Sequence, residues 1–248
     1  MRRSAKSASG ARRESVRPDQ WLAAEPLKPS EQLFAVLSGA SAGEPLKAWP
    51  SQAPTPVWAK TAFSEWEAVM PYVGIVAADS EFLEWAASTG SDDWGWLGVS
   101  SASLEEVAAH LRSLTQVLMP DGRPAFFRFW DGRFLLPILT SSEVDAGELL
   151  AVFGRALING RAVAVGGRGQ ASDRAFPWWR VPQGLLARFG GDVRMRNALQ
   201  WLSEAHPTLA QAFPADVLRR KVERFYQVSL SQEASEAALL DYLLQETQ

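Results

Sequence analysis

The 248 residues include no cysteine, which excludes disulfides, thiolate metal sites and cysteine nucleophiles. Asp92-Asp93 stands beside Trp94, where an apolar ring could raise a carboxyl pKa as a hydrolytic acid requires. Two acids adjacent in sequence are not thereby paired in space, and a solvated loop ahead of a strand accounts for them as well. His110 lies among Ala108, Ala109 and Leu111, and His206 precedes Pro207. Neither has a second ligand or an acid–base partner at a recognised spacing, so both read as surface or boundary histidines. Gly166-Gly167-Arg168-Gly169 follows a strand-like run, but no amphipathic helix follows it directly to supply the dipole of an anion site. Neither Gly-x-Ser-x-Gly nor a glycine-rich loop ending in Lys-Ser or Lys-Thr occurs. The survey assigns no catalytic residue, no cofactor-binding residue, no cofactor and no metal ligand. A hydrolase of unrecognised type stays open as an alternative.

Binding has better candidates. Eleven tryptophans is a surplus, and the indole is favoured both in cores and at the centres of interfaces. Trp49, Trp58 and Trp66 lie in or beside a proline-rich passage, and Trp178 and Trp179 lie between Pro177 and Pro182. Packing of the lobes explains part of the surplus, and a carbohydrate-binding aromatic platform is a further alternative. A helical run near the C-terminus puts Val217, Leu218, Val222 and Phe225 on one stripe. It leaves Arg219, Arg220, Lys221 and Arg224 mainly to solvent, where they could meet an acidic partner or simply be hydrated.

The positioning elements follow from pattern. Leu33–Leu37, Tyr72–Val76 and Trp94–Val99 read as strands, and Arg161–Val165 as a last short one. Pro45, Pro50, Pro54 and Pro56 mark a surface loop. Asp79 or Ser80 caps a short helix that stops near Gly90. Ser103-Leu104-Glu105-Glu106 is a capping box, opening a helix with Leu104, Val107, Ala108, Leu111 and Leu118 on its face. Asp131-Gly132 between Phe126–Trp130 and Arg133–Leu136 predicts a hairpin. Glu148–Leu157 has helical character. Beyond Gly169 strand-like runs stop, and helices are expected over residues 193–204, 216–228 and 233–244, with residues 177–182 as a linker. The fold class is α+β: a mixed, largely antiparallel sheet lobe with flanking helices, followed by a smaller all-helical lobe. The expected divisions are a basic flexible arm at 1–25, an α/β lobe at 26–168 and a helical lobe at 169–248.

Hydrophobic and charged content are ordinary for a globular protein, and the net charge is −3. Residues 1–20 hold Arg2, Arg3, Lys6, Arg12, Arg13 and Arg17 against Glu14 and Asp19, so this stretch is at +4 and the remainder at −7. No run approaches the roughly 18 apolar residues of a membrane span, and the N-terminus lacks the apolar segment of a secretory signal. Cysteine-free composition is compatible with a reducing compartment. The expectation is a cytoplasmic protein with no membrane insertion and no nucleic-acid partner.

The order of elements resembles the type VI secretion effector chaperones, the family of the domain of unknown function 4123. The similarity runs through Leu33–Leu37 followed by Ser38-Gly39-Ala40, Pro71-Tyr72-Val73, and Trp94-Gly95-Trp96 followed by Ser100. It is clearest at His110-Leu111-Arg112, Asp121-Gly122 and Phe127-Arg128-Phe129-Trp130-Asp131, over roughly residues 30–165. The family usually has tyrosine before that aspartate and proline after it, where this chain has Trp130 and Gly132. The resemblance implies a non-enzymatic adaptor that holds a secreted toxin effector, often by its N-terminal region, and helps load it onto the spike protein of the secretion machine. Partner contacts are then expected among Trp94, Trp96, Arg128, Trp130, Asp131, Arg133, Trp178, Trp179, Arg219, Arg220 and Arg224. Arg128 has the alternative role of pairing with Asp131 within the fold.

Overall fold

The computed structural model describes residues 15–50, 53–169, 176–186, 195, 198–199, 201–203, 205–228 and 236–245. The chain divides into two compact units, Met1–Arg180 and Val181–Gln248. In the first, β1 (Gln32–Ser38), β2 (Thr55–Pro56), β3 (Pro71–Ile75), β4 (Gly95–Ser100), β7 (Arg155–Ile158) and β8 (Arg161–Ala164) form one sheet in the order β2-β3-β1-β4-β7-β8. Each neighbouring pair is antiparallel. The three apolar runs at 33–37, 72–76 and 94–99 are thus its central strands. Strands β1 and β4 are covered on both faces, which is why they read as continuous apolar runs without polar alternation.

One face packs Leu33, Ala35, Leu37, Leu97, Val99 and Leu157 against Trp21, Leu22, Phe82, Leu83 and Trp94. The covering helices are α1 (Pro18–Ala24) and α2 (Glu81–Ser88), the latter capped by Ser80 Oγ accepting from Phe82 N. On the opposite face Phe34 meets Phe153 edge-on at 6.2 Å, and Trp96 meets it at 5.0 Å. Gly98 makes this stacking possible, since a Cβ there would lie 2.6 Å from Phe153 Cδ1. Beside this sheet, β5 (Gln116–Leu118) and β6 (Pro124–Phe126) form a separate two-stranded ribbon. The capping box of α3 (Leu104–Ser113) is present in full: Glu106 N donates to Ser103 Oγ, and Ser103 N donates to Glu106 Oε2 at 2.7 Å.

Several expectations are corrected. No hairpin turns at Asp131-Gly132. Asp131 instead caps a helix, α4 (Gly132–Leu139), its carboxylate accepting from Arg133 N at 3.1 Å. A short apolar run suits either period, and here Leu135 and Leu139, four apart, both face inward. The hairpin lies one step earlier, β5–β6, with Gly122 at a φ of 84° in its turn. Helix α3 stops at Ser113, so Leu118 belongs to β5 and not to the helix stripe. The 148–157 helix is cut to α5 (Ala146–Leu149), and the rest becomes β7. Asn159-Gly160, with φ values of 49° and 69°, turns β7 into β8, the geometry of a two-residue hairpin loop. The proline-rich loop contributes β2, which pairs Pro56 with Tyr72. Part of the segment read as a flexible arm is helix α1, with Trp21 and Leu22 buried; residues 1–14 lie outside the described residues. Residues 176–180 are not a free linker: Trp179 O accepts from Leu118 N at 2.8 Å, and its ring stacks on Phe127 at 5.7 Å.

The second unit is helical, as expected, with α6 (Pro207–Gln211), α7 (Ala215–Val228) and α8 (Glu236–Gln245). Leu218 and Val222 of α7 meet Leu239 and Leu243 of α8, together with Met195, Ala198 and Leu202. Part of the expected 193–204 helix and residues 233–235 lie outside the described residues.

Candidate functional site

Asp131 is the buried centre of a charged network in the first unit. Its side chain is 1% exposed, yet it accepts from Arg133 Nε at 3.0 Å and Nη2 at 2.8 Å, and it pairs with Arg128 Nη2 at 3.0 Å. Arg133 reaches on to Asp93 at 3.2 Å, and Asp93 accepts from Ser41 Oγ at 2.7 Å and Ser91 Oγ at 2.5 Å. Burial raises the Asp93 pKa, but the two hydroxyls and the Arg133 charge outweigh it and hold the carboxyl below its ordinary value. Arg133 is in turn held above its ordinary value, chiefly by its bonds to Asp131. Arg128 also lies over the Phe134 ring, 5.1 Å from its centre. The network ties the start of α4 to the loops around residues 41 and 91–93. Its acids and bases satisfy one another, which is the arrangement of a positioning device.

From that hub an aromatic ladder runs outward. Trp96 Nε1 donates to Phe129 O at 2.9 Å, and Phe129 meets Trp130 edge-on at 5.0 Å. Trp130 meets Trp58 at 5.3 Å, and Trp58 anchors itself by donating Nε1 to Thr115 Oγ1 at 2.9 Å. Beyond Trp58 come Phe63 and Trp66, which close with Phe126 into a triangle of rings 5.0 to 5.6 Å apart. Here the ladder reaches solvent: Trp66 is 46% exposed and Phe126 43%. Phe176, 48% exposed, flanks the same region.

One cleft adjoins the triangle at Phe63, and a second adjoins that cleft. The first, of about 460 Å³, is lined by Ala62, Phe63, Ala109, Thr115 and Phe176, together with Thr61, Arg112 and Ser113. The second, of about 510 Å³, shares Thr61 and Arg112 and continues along α3 past Ala108 to Leu104, Glu105 and Lys60. Arg112 Nε donates to Val57 O at 2.8 Å, pinning the 55–63 loop to α3 and so fixing the cleft walls. Small side chains at Ala59, Ala62, Ala108 and Ala109 leave room for a partner to approach the backbone closely. Rings exposed beside a preformed apolar cleft can bury large area on contact at low entropic cost.

The residues expected to meet a partner are dispersed. Arg128, Asp131 and Arg133 meet in the ion-pair hub, with Trp130 next to it; Trp96, Trp130 and Asp131 are buried. Trp94 lies on the other face of the sheet against Phe82 and Trp85. Trp178 is half-buried and donates Nε1 to Ser113 Oγ at 3.0 Å. Arg219, Arg220 and Arg224 are exposed on α7 of the second unit, and Arg220 pairs there with Asp216. Phe63, Phe126 and Phe176 were not anticipated, and Trp66 only as one of three tryptophans near the prolines. A large ring in the polar run Ser64-Glu65-Trp66-Glu67 was the available signal.

His110 is buried, with Nε2 3.0 Å from Leu149 O and no hydrogen-bond partner at Nδ1. Burial pushes its pKa below the ordinary value against the bond to Leu149. Among the described residues no group of three or more His, Asp or Glu is placed to hold a metal ion, and no helix is long and apolar enough to cross a membrane. A family model described as a domain of unknown function, DUF4123, matches residues 33–146, from the first residues of β1 to the start of α5. No curated protein and no solved structure matches the chain.

Proposed function

We propose that the chain is a non-enzymatic cytoplasmic adaptor that binds a type VI secretion effector, in its N-terminal region, and promotes its loading onto the spike protein. The observation that carries this reading is the exposed rings of Trp66 and Phe126, packed on the half-buried Phe63, beside the apolar cleft and Phe176. A monomeric protein exposes single apolar side chains routinely, but contiguous aromatic surface beside a cleft marks a site of association. The DUF4123 match covers the elements that build this surface from Trp58 to Phe126, and the resemblance of the Phe127–Asp131 motif adds the effector-chaperone role. In this reading Trp58 and Trp130 form the rigid floor, and Lys60, Glu105 and Arg112 supply a polar rim that sets register.

Co-expression with the toxin encoded beside this chain's gene tests the proposal. The adaptor should co-purify with it and raise its soluble yield, and the Trp66→Ala/Phe126→Ala double variant should do neither while still folding cooperatively. Absence of co-purification with the unaltered chain would end the adaptor reading; glycan binding or turnover of a substrate panel by the same surface would replace it.

A further inference from the structure

Where the two clefts meet, their shared wall carries a cation. Arg112 lines both, with Phe63, Ala109 and Phe176 in the first cleft and Leu104, Glu105 and Lys60 in the second. Its Nε donates to Val57 O at 2.8 Å, which restrains the guanidinium. Nη1 and Nη2 have no hydrogen-bond or ion-pair partner among the described residues, and both reach solvent. The other charges lining the clefts leave Arg112 uncompensated. Glu105 stands seven residues earlier on α3, about 10 Å along its axis, and shares the second cleft with the opposite charge of Lys60. Glu65 and Glu67 line neither cleft, so Arg112 is the one charged residue among the described lining of the first.

We propose that Arg112 receives an Asp or Glu side chain of the cargo effector, set within a segment whose neighbouring residues are apolar; this rests on the adaptor reading. With Nε engaged, a guanidinium still offers one N–H from each Nη, and these two donors match the two oxygens of a carboxylate. The bond to Val57 holds the fork before the partner arrives, so less side-chain freedom is lost on binding. Ala62, Phe63, Ala109 and Phe176 around it exclude water from an apolar ligand, which strengthens the ion pair and rewards apolar neighbours of the acid. The clefts extend from Arg112 in both directions along α3. An internal acidic residue lets the segment fill both, whereas a C-terminal carboxylate ends the chain at Arg112 and leaves one of them empty. Arg112 thus fixes the register of a segment whose apolar side chains meet the exposed rings.

The test has two arms, both on the full chain. In the first, phenylbutyrate and its neutral amide are titrated while the Arg112 Nε–H signal is followed by NMR. The acid should shift that signal and bind at least about tenfold more tightly than the amide, and Arg112→Gln should abolish the preference. In the second, the purified effector is titrated at low and high salt. Arg112→Gln should weaken its binding by at least about tenfold and flatten the salt dependence, because the screened ion pair is gone. A role confined to holding the 55–63 loop through Val57 would weaken binding and leave the salt dependence as it is in the parent. The proposal is overturned by that result, by equal binding of acid and amide or binding of neither, or by parental affinity in the variant. Preference for the acid in a chain that does not bind the effector fails the adaptor reading and the cargo named here, and leaves a carboxylate site.

Discussion

Replacing Asp131 separates two contributions that the structure assigns to one side chain. The carboxylate caps α4 through Arg133 N and accepts from two guanidinium groups, while itself 1% exposed. Asp131→Ala removes the cap, worth about 1 kcal/mol. It also removes the charge-assisted contacts, worth about 1.5–3 kcal/mol for a bond to a charged group. Arg128 and Arg133 are 48% and 41% exposed, so water takes over part of their solvation and the loss falls short of that for a fully buried pair. The expected total is about 2–3 kcal/mol, or roughly 5–10 °C in melting temperature for a unit of this size. Asp131→Asn retains a capping oxygen for Arg133 N but sets an amide N–H group where Oδ2 met Arg128 and Arg133, so it should keep the cap and lose the ion pairs. Trp130 and Trp58 lie within the neighbouring aromatic ladder, so tryptophan fluorescence during urea unfolding reports on this unit. An alanine variant within about 0.5 kcal/mol of the parent would refute the assignment.

Further perturbations follow from the same geometry. Gly98→Ala places a Cβ 2.6 Å from Phe153 and 2.9 Å from Trp96, both fully buried, and should lower stability by about 1–3 kcal/mol in urea unfolding. Trp58→Phe deletes the donor to Thr115 Oγ1 within the buried ladder and should cost about 1–2 kcal/mol by the same measurement, leaving the fold intact. The folded-state pKa of His110 is depressed by burial. Its contribution is therefore complete above the unfolded pKa of about 6.5 and is lost as pH falls from there toward the folded value, at no more than about 1.4 kcal/mol per pH unit. Unfolding measured from pH 7 to pH 5 should show this decline, and His110→Phe should flatten it.

Local signals survived folding where tertiary context agreed with them. The Ser103–Glu106 box needs only its own turn, and Leu33–Leu37 is apolar without interruption because both faces of β1 are covered. Asp131-Gly132 was misread because an aspartate before glycine serves a hairpin or a helix start equally well. The choice was made by Arg128, Arg133 and the inward-facing Leu135 and Leu139. Asn159-Gly160 carried a stronger hairpin signal that the apolar helical period of residues 148–157 obscured. Part of the candidate site was legible as an excess of tryptophan near prolines. Which rings stay exposed was not, since Trp58 and Trp66 differ only through what Thr115, Trp130 and Phe126 bring against them.

The central claim is that the exposed rings, and not the buried tryptophans, hold the cargo. Titration of the purified effector with the parent chain and with Trp66→Ala/Phe126→Ala tests it most directly. The account predicts that affinity falls by at least about tenfold while the variant still unfolds in a cooperative transition. Equal affinity of the two proteins for the effector would contradict it.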